Sequence, residues 1–336
     1  MGKNATITQI ADYLGLSPAT VSRALNHRSM VGKDTLARID AAMELFGYQP
    51  SKSPSSEENS PSLIVLNVPN IGNIFYQDII KGARSSADAH NYRFLISESP
   101  LGHSAVQEYC QMLSGIGASG LILLNCLPEE DLQKIRKICP VVQCSEYNKE
   151  SEIPYVGIDN YSAAKTAVEY LLSCGRNKIS LVNGPRNFNY AAERFRGFMD
   201  TMSQAGLSVP KNWIVQLPEV DFQIAYAAVC KILNSEVCPN AFFAVSDIFA
   251  AAIIRSAYRY GLRVPDDIMV VGFDNIPISM MTCPSITTVS QPTFSQGYAA
   301  CELLMDLIEN PQIHVQSLIL ETELIVREST SIKRGV

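Results

Sequence analysis

From residue 62 onward the sequence alternates short apolar runs with amphipathic stretches, and the alternation runs through twice. SLIVLNV (62–68), YRFLIS (92–97), SGLILLN (119–125) and PVVQC (140–144) are strand-like, with helical patterns between them near 74–90, 103–115 and 129–138. A second series starts at YVGID (155–159). It continues through a helix near 161–174, KISLV, a helix near 190–205, WIVQL, a helix near 222–234, AFFAV, a helix near 247–260 and IMVVGF. Strands alternating with helices imply parallel sheets, because parallel neighbours need a crossover connection. Nearly uninterrupted apolar strands imply sheets covered on both faces. Two series predict two doubly wound α/β subdomains. Ligands in such sheets bind beyond the carboxyl ends of the strands, so a cleft between the subdomains is the expected pocket.

One stretch breaks this regularity. Residues 51–61, SKSPSSEENSP, hold five Ser, two Pro and two Glu and nothing that can join an apolar core, so they read as a linker. The linker separates a head, residues 1–50, from a body, residues 62–336. Within the body, about 62–160 with 291–320 forms one subdomain and 161–290 with 321–330 the other.

Three short helices fit residues 6–47 of the head. Ile7, Ile10, Ala11 and Leu14 follow helical spacing, Thr6 and Gln9 make a capping-box pair, and Gly15 ends the helix. Ser17 then caps a second helix that starts at Pro18 and buries Val21, Ala24 and Leu25. A third runs from about Lys33 to Phe46, with Leu36, Ile39, Met43 and Phe46 on one face and Gly47 as terminator. Two helices joined by a tight glycine turn, with a third behind, form the helix-turn-helix arrangement. Charge agrees. The chain has 27 Lys plus Arg against 33 Asp plus Glu, a net charge of −6, yet residues 1–33 carry Lys3, Arg23, Arg28 and Lys33 against Asp12 alone. The polar face of the second helix holds Ala19, Thr20, Ser22 and Arg23. That face fits DNA, the plain alternative being the solvated side of a small helical bundle.

TITQIADYLGLSPATVSRALN in the head resembles the lactose-repressor (LacI/GalR) family of bacterial transcription regulators. In the body SGLILL, VGIDN, GPRNFNYAAERFRGF, the Ser246-Asp247 pair, GLRVPDDIMVVGFDN, PSITTVSQP and ETELIVRES follow the family's order over nearly the whole chain. The resemblance implies a sequence-specific DNA-binding regulator, expected as a repressor. It implies a homodimer on a pseudo-palindromic operator and a periplasmic-binding-protein-like body that senses a small-molecule effector, expected as a sugar or sugar derivative. The implied DNA contacts are Thr6, Ser17, Pro18, Ala19, Thr20, Ser22, Arg23, Asn26 and Thr35. Arg23 suits a guanine O6/N7 pair or a phosphate. Thr20, Ser22 and the helix-end amides suit phosphates, and Thr6, Asn26 and Thr35 match phosphate-contact positions. The family's main base-reading pair is here Pro18 and Ala19, which offer no side-chain hydrogen bond, so readout leans on Arg23 and Ser22. The family also joins head to body through a helix of the form Ala-Arg-Ser-Leu, whose Leu wedges into the minor groove. Residues 51–61 contain no Leu, Ile, Val, Phe or Met, so a tether without a wedge is expected.

For the effector, the resemblance marks Phe75 and Tyr76 at the opening of the first body helix and Asn125 after the third strand. It marks Asp159, with Asn160 beside it, near the crossover, and Phe188, Tyr190 and Arg194 after Gly184-Pro185. Asp247, at the start of the helix after AFFAV, and Asp274, after IMVVGF, complete the set. Structural roles compete: a salt bridge for Arg194, a cap for Asp247, a turn for Asp274, the core for Phe75 and Tyr76. Phe188 and Tyr190 stand where the purine repressor has a polar pair, which disfavours a purine. Cys144 replaces an acid common in the family near the ligand.

Other classes fit less well. Gly115-x-Gly117-x-x-Gly120 matches a dinucleotide fingerprint but follows a helix and precedes a strand, the reverse of the required context. Neither G-x-x-x-x-G-K-[ST], H-E-x-x-H nor G-x-S-x-G occurs, and His27, His90, His103 and His314 lie far apart, so no enzyme, cofactor or metal site is expected. A transporter's solute receptor shares the body fold but needs a secretion signal and no DNA-binding head; the N-terminus carries no such signal. No apolar run reaches about 18 residues, so no membrane span is expected. The nine cysteines lack C-x-x-C spacing and read as reduced core residues of a cytoplasmic protein.

Overall fold

The computed structural model describes residues 13–16, 21, 33–46, 62–313 and 315–331. The chain divides into two units, Met1–Ser60 and Pro61–Val336.

In the first unit, helix α1 (Lys33–Leu45) packs Ile39 and Ala42 against Val21, with Leu14, Leu16, Leu36 and Met43 around them. Gly15 takes a φ of +65°, which suits a residue without Cβ. Phe46, expected on the buried face, is instead exposed and meets Tyr13 edge-on at 5.1 Å. It lies in the turn after α1, where the helical face no longer continues. Thr35 lies in the first turn of α1. The expected Thr6–Gln9 cap, Ser17, Pro18, Ala19, Thr20, Ser22, Arg23, Asn26, Gly47 and linker 51–61 lie outside the described residues.

The body holds two six-stranded sheets. The first contains β1 (Leu63–Val68), β2 (Arg93–Glu98), β3 (Ala118–Leu123), β4 (Val141–Cys144) and β5 (Tyr155–Ile158). The second contains β6 (Ile179–Asn183), β7 (Ile214–Gln216), β8 (Ala241–Ala244), β9 (Met269–Asp274) and β10 (Thr287–Ser290). Each sheet gains a last strand from the chain's end, β11 (Leu318–Leu320) beside β5 and β12 (Glu323–Ile325) beside β10. The orders are β11-β5-β4-β3-β1-β2 and β12-β10-β9-β8-β6-β7. All pairings are parallel except β10 with β12. The central strands β8 and β9 are buried at every residue, as sheets covered on both faces demand. Edge strand β2 instead alternates between half-buried and exposed for most of its length.

Helices α2 (Tyr76–Ala89), α3 (Val106–Gly115) and α4 (Glu129–Arg136) follow the first three strands. Then come α5 (Asn160–Ser173), α6 (Asn189–Gln204), α7 (Phe222–Leu233), α8 (Asp247–Arg259) and the short α9 (Ile278–Met281). Helix α10 (Thr293–Glu309), for which sequence spacing alone predicts no element, returns to the first sheet and buries Gly297, Ala300, Cys301, Leu304 and Met305. It packs tightly on α2. A Cβ built on Gly82 would lie 2.0 Å from the Phe294 carbonyl oxygen, and one on Gly297 2.0 Å from that of Ile79. The Gly115–Gly120 segment is the expected helix-to-strand turn, with Gly117 at φ +65° and Gly120 packed against Leu304 and Ile308. All nine cysteines are free, but only Cys139, Cys144 and Cys301 are fully buried, and Cys283 is exposed. The core reading therefore holds for three of them. Among the described residues, no helix is long and apolar enough to cross a membrane.

Candidate functional site

The chain passes from one sheet to the other three times: between β5 and α5, between β10 and α10, and between β11 and β12. These crossings hinge a cleft of about 700 Å³ lined from both sides. Six of the nine residues marked for the effector line it: Phe75, Tyr76, Phe188, Tyr190, Arg194 and Asp274. Phe75 and Tyr76 meet edge-on at 5.3 Å at the start of α2, and Phe188 and Tyr190 lie 5.7 Å apart at the start of α6. Aromatic faces thus approach the cleft from both sheets.

The polar centre is Arg194, on the second turn of α6 and 4% exposed. Its Nη1 lies 3.6 Å from Asp274 Oδ1 and donates to the Val245 carbonyl at 2.6 Å, while Nε donates to Asn160 Oδ1 at 2.8 Å. The guanidinium lies 3.4 Å from the Phe273 ring centroid and 4.9 Å from that of Tyr190. Asp274 ends β9 at φ +106°, a conformation uncommon outside glycine that aims its carboxyl into the cleft. Gln291 Nε2 donates to Asp274 Oδ1 at 2.8 Å, and Gln296 of α10 donates to Gln291 in turn, a polar chain that crosses between the subdomains. Burial pushes the Asp274 carboxyl up to about 6, against the pull of Arg194 and Gln291. Burial likewise lowers the Arg194 guanidinium from its ordinary range, opposed by Asp274.

Three marked residues do other work. Asn125 is buried below the cleft and donates to Asn67 Oδ1 and the Ser99 carbonyl, joining the ends of β1 and β2. Asp159 is exposed and caps α5 through the Ser162 N–H at 3.0 Å; its neighbour Asn160 is the one that lines the cleft. Asp247 accepts from the Ile276 N–H at 3.0 Å and from Thr288 Oγ1 at 2.6 Å, bracing the β9 turn. Ser246, not Asp247, caps α8. Each makes hydrogen bonds within the scaffold, and none of the three lines the cleft.

Cys144, read from the sequence as standing in place of an acid near the ligand, does not line the cleft, and a carboxyl two residues later does. Cys144 points into the core, whereas Glu146, beyond the end of β4, lines the cleft while only 3% exposed. It reaches across the cleft: Oε2 accepts from the Asn189 N–H at 2.8 Å and Oε1 from the Tyr190 N–H at 3.1 Å, at the amino end of α6. Burial raises it to about 7 despite those bonds and Arg194. Its position just beyond a strand's carboxyl end was the available signal. The structure also gathers His103, Glu130 and Asp131, which their sequence separation obscured. Lys134 already pairs with Asp131 there at 2.8 Å.

A two-lobed α/β body with a polar and aromatic cleft at its strand ends is the architecture of periplasmic-binding-protein-like sensors. Residues 168–330 match the periplasmic binding protein-like domain, and residues 6–51 match the bacterial regulatory proteins, lacI family. The chain belongs to the LacI family and is a DNA-binding transcriptional regulator. It is 31% identical to the HTH-type transcriptional repressor CytR of Escherichia coli (strain K12), over 97% of this chain and 96% of that protein. It is likewise 31% identical to the ribose operon repressor of Halalkalibacterium halodurans, over 97% of each. The solved transcriptional regulator CelR–cellobiose complex superposes with a TM-score of 0.72 at 25% identity, covering 97% of this chain and 100% of that one.

Proposed function

We propose that the chain is a cytoplasmic repressor that binds a pseudo-palindromic operator as a homodimer. Its operator affinity is set by a sugar or sugar derivative bound in the cleft and not turned over. The observation that carries this reading is the buried Arg194–Asp274 pair at the floor of an aromatic-walled cleft. Charged hydrogen-bonding groups fix the orientation of hydroxyls, and ring faces cover the apolar side of a pyranose or furanose. Relatives named for a ribose operon and for a bound cellobiose support a carbohydrate ligand. Base contacts fall to Arg23 and Ser22, with Ser17, Pro18, Ala19, Thr20, Thr6, Asn26 and Thr35 completing the DNA surface. The test is calorimetry of the purified full chain against pentoses, hexoses and disaccharides, with chromatography of each sugar after incubation. Saturable binding that Asp274→Asn weakens at least tenfold, with the sugar recovered intact, is expected. Conversion of the sugar, or wild-type affinity in the variant, would refute the reading.

A further inference from the structure

The cleft is lopsided in charge. Among the described residues lining it, the carboxyls are Glu98, Glu146, Glu219 and Asp274, and the only cation is Arg194. Arg194 is largely engaged: Nε and Nη1 are hydrogen-bonded, Asp274 lies beside Nη1 and the Phe273 ring centroid lies 3.4 Å from the guanidinium, leaving Nη2, which makes no hydrogen bond among the described residues, for a ligand hydroxyl. An entering anion therefore meets one largely engaged cation against four carboxyls, two of them buried, whereas an entering ammonium favours the charged form of those carboxyls.

A second feature points to what does fit. Tyr76 lines the cleft, nine-tenths buried, and its hydroxyl has no hydrogen-bond partner among the described residues. It is left for a ligand. The Tyr76, Phe188 and Tyr190 rings stand in the same cleft as the carboxyls. Carboxylates beside aromatic faces are the groups that hold an ammonium, through charge-assisted hydrogen bonds and cation–π attraction.

We infer that the effector carries a protonated nitrogen, as an amino sugar does, and that the cleft excludes phosphorylated and carboxylated sugars. This rests on the carbohydrate reading of the same cleft. Glu146 is the selective group, since it adds a second buried carboxyl that has no ion pair among the described residues.

The test is calorimetry of the full chain with glucosamine, galactosamine and mannosamine, each beside its parent hexose, its N-acetyl form and its 6-phosphate. An amino sugar is expected to bind at least tenfold tighter than its parent. N-acetylation, which removes the charge, should abolish that preference, the phosphates should not bind, and Glu146→Gln should reduce the preference at least threefold. A sugar phosphate that binds as tightly as its parent overturns the inference while leaving the cleft a sugar site. If none of these sugars binds, the carbohydrate reading falls, and a pair of minimal probes decides the charge inference alone. Ethylammonium chloride and sodium acetate at equal ionic strength are compared by thermal unfolding of the wild type and Glu146→Gln. Stabilisation by ethylammonium that is larger in the wild type sustains the inference; equal responses of the two proteins overturn it.

Discussion

Arg194 and Asp274 sit together in a place where neither charge is stable alone. Removing one partner leaves the other buried and poorly compensated, which typically costs several kcal/mol. Arg194→Ala is therefore expected to destabilise the body by about 3 kcal/mol, measured as the urea midpoint. Asp274→Asn keeps the shape and the hydrogen bond with Gln291, and should lose less stability than Arg194→Ala; equal losses would mean that the charge pair, rather than packing and the remaining hydrogen bonds of Arg194, dominates the cost. Glu146 gives a pH signature. Folded, it keeps its proton up to about 7, whereas the unfolded chain releases it near the ordinary carboxyl value of 4.5. Between those limits the native state binds more protons, so stability falls as pH rises, then levels off above about 7. Asp274, raised to about 6, adds the same slope over a narrower range. Melting temperatures from pH 5 to 8 should fall less steeply for Glu146→Gln than for the wild type; parallel curves would contradict the raised carboxyl.

At the level of elements, the tightest joint is between α2 and α10, where Gly82 and Gly297 let the backbones touch. Gly297→Ala would press a methyl onto the Ile79 carbonyl oxygen. Overpacking of this kind costs about 1–3 kcal/mol or more, and urea unfolding should show a loss in that range, against little change for Gly102→Ala, whose Cβ meets nothing within 4 Å. This joint also marks the limit of sequence reading. The alternating apolar runs announced β1 to β9 and the helices between them, because parallel strands buried on both faces have few other solutions. Helix α10 was hidden, because its buried face is built from Gly297, Ala300 and Cys301 as much as from Leu304, and small residues barely register as an apolar stripe. The same holds in the site. Phe75, Tyr76, Phe188, Tyr190, Arg194 and Asp274 were legible at strand and helix ends. Asn125, Asp159 and Asp247 occupy such ends too, but are held by the backbone groups they cap or brace. Glu146 escaped because its partners, Asn189 and Tyr190, lie more than 40 residues away.

For the whole molecule, the question is how the cleft addresses the operator. The joining segment SKSPSSEENSP carries Pro54 where a helix would run, acids that repel phosphate, and no apolar wedge. On the proposed homodimer, a tether of this composition would still confine two heads at high effective concentration. Such a tether would transmit a change in the body weakly, since a ligand shifts an equilibrium only as far as its two states differ in binding. The central claim is that ligand in the cleft sets operator affinity. Its most direct measurement is fluorescence anisotropy of an operator selected by the full chain, titrated with and without saturating cleft ligand. A shift of about fivefold in operator affinity, the low end of the usual range for coupled sites, is expected for the wild type. Asp274→Asn should bind the operator with unchanged affinity and need at least tenfold more ligand to reach the same shift. Identical wild-type titrations with and without ligand would contradict the account.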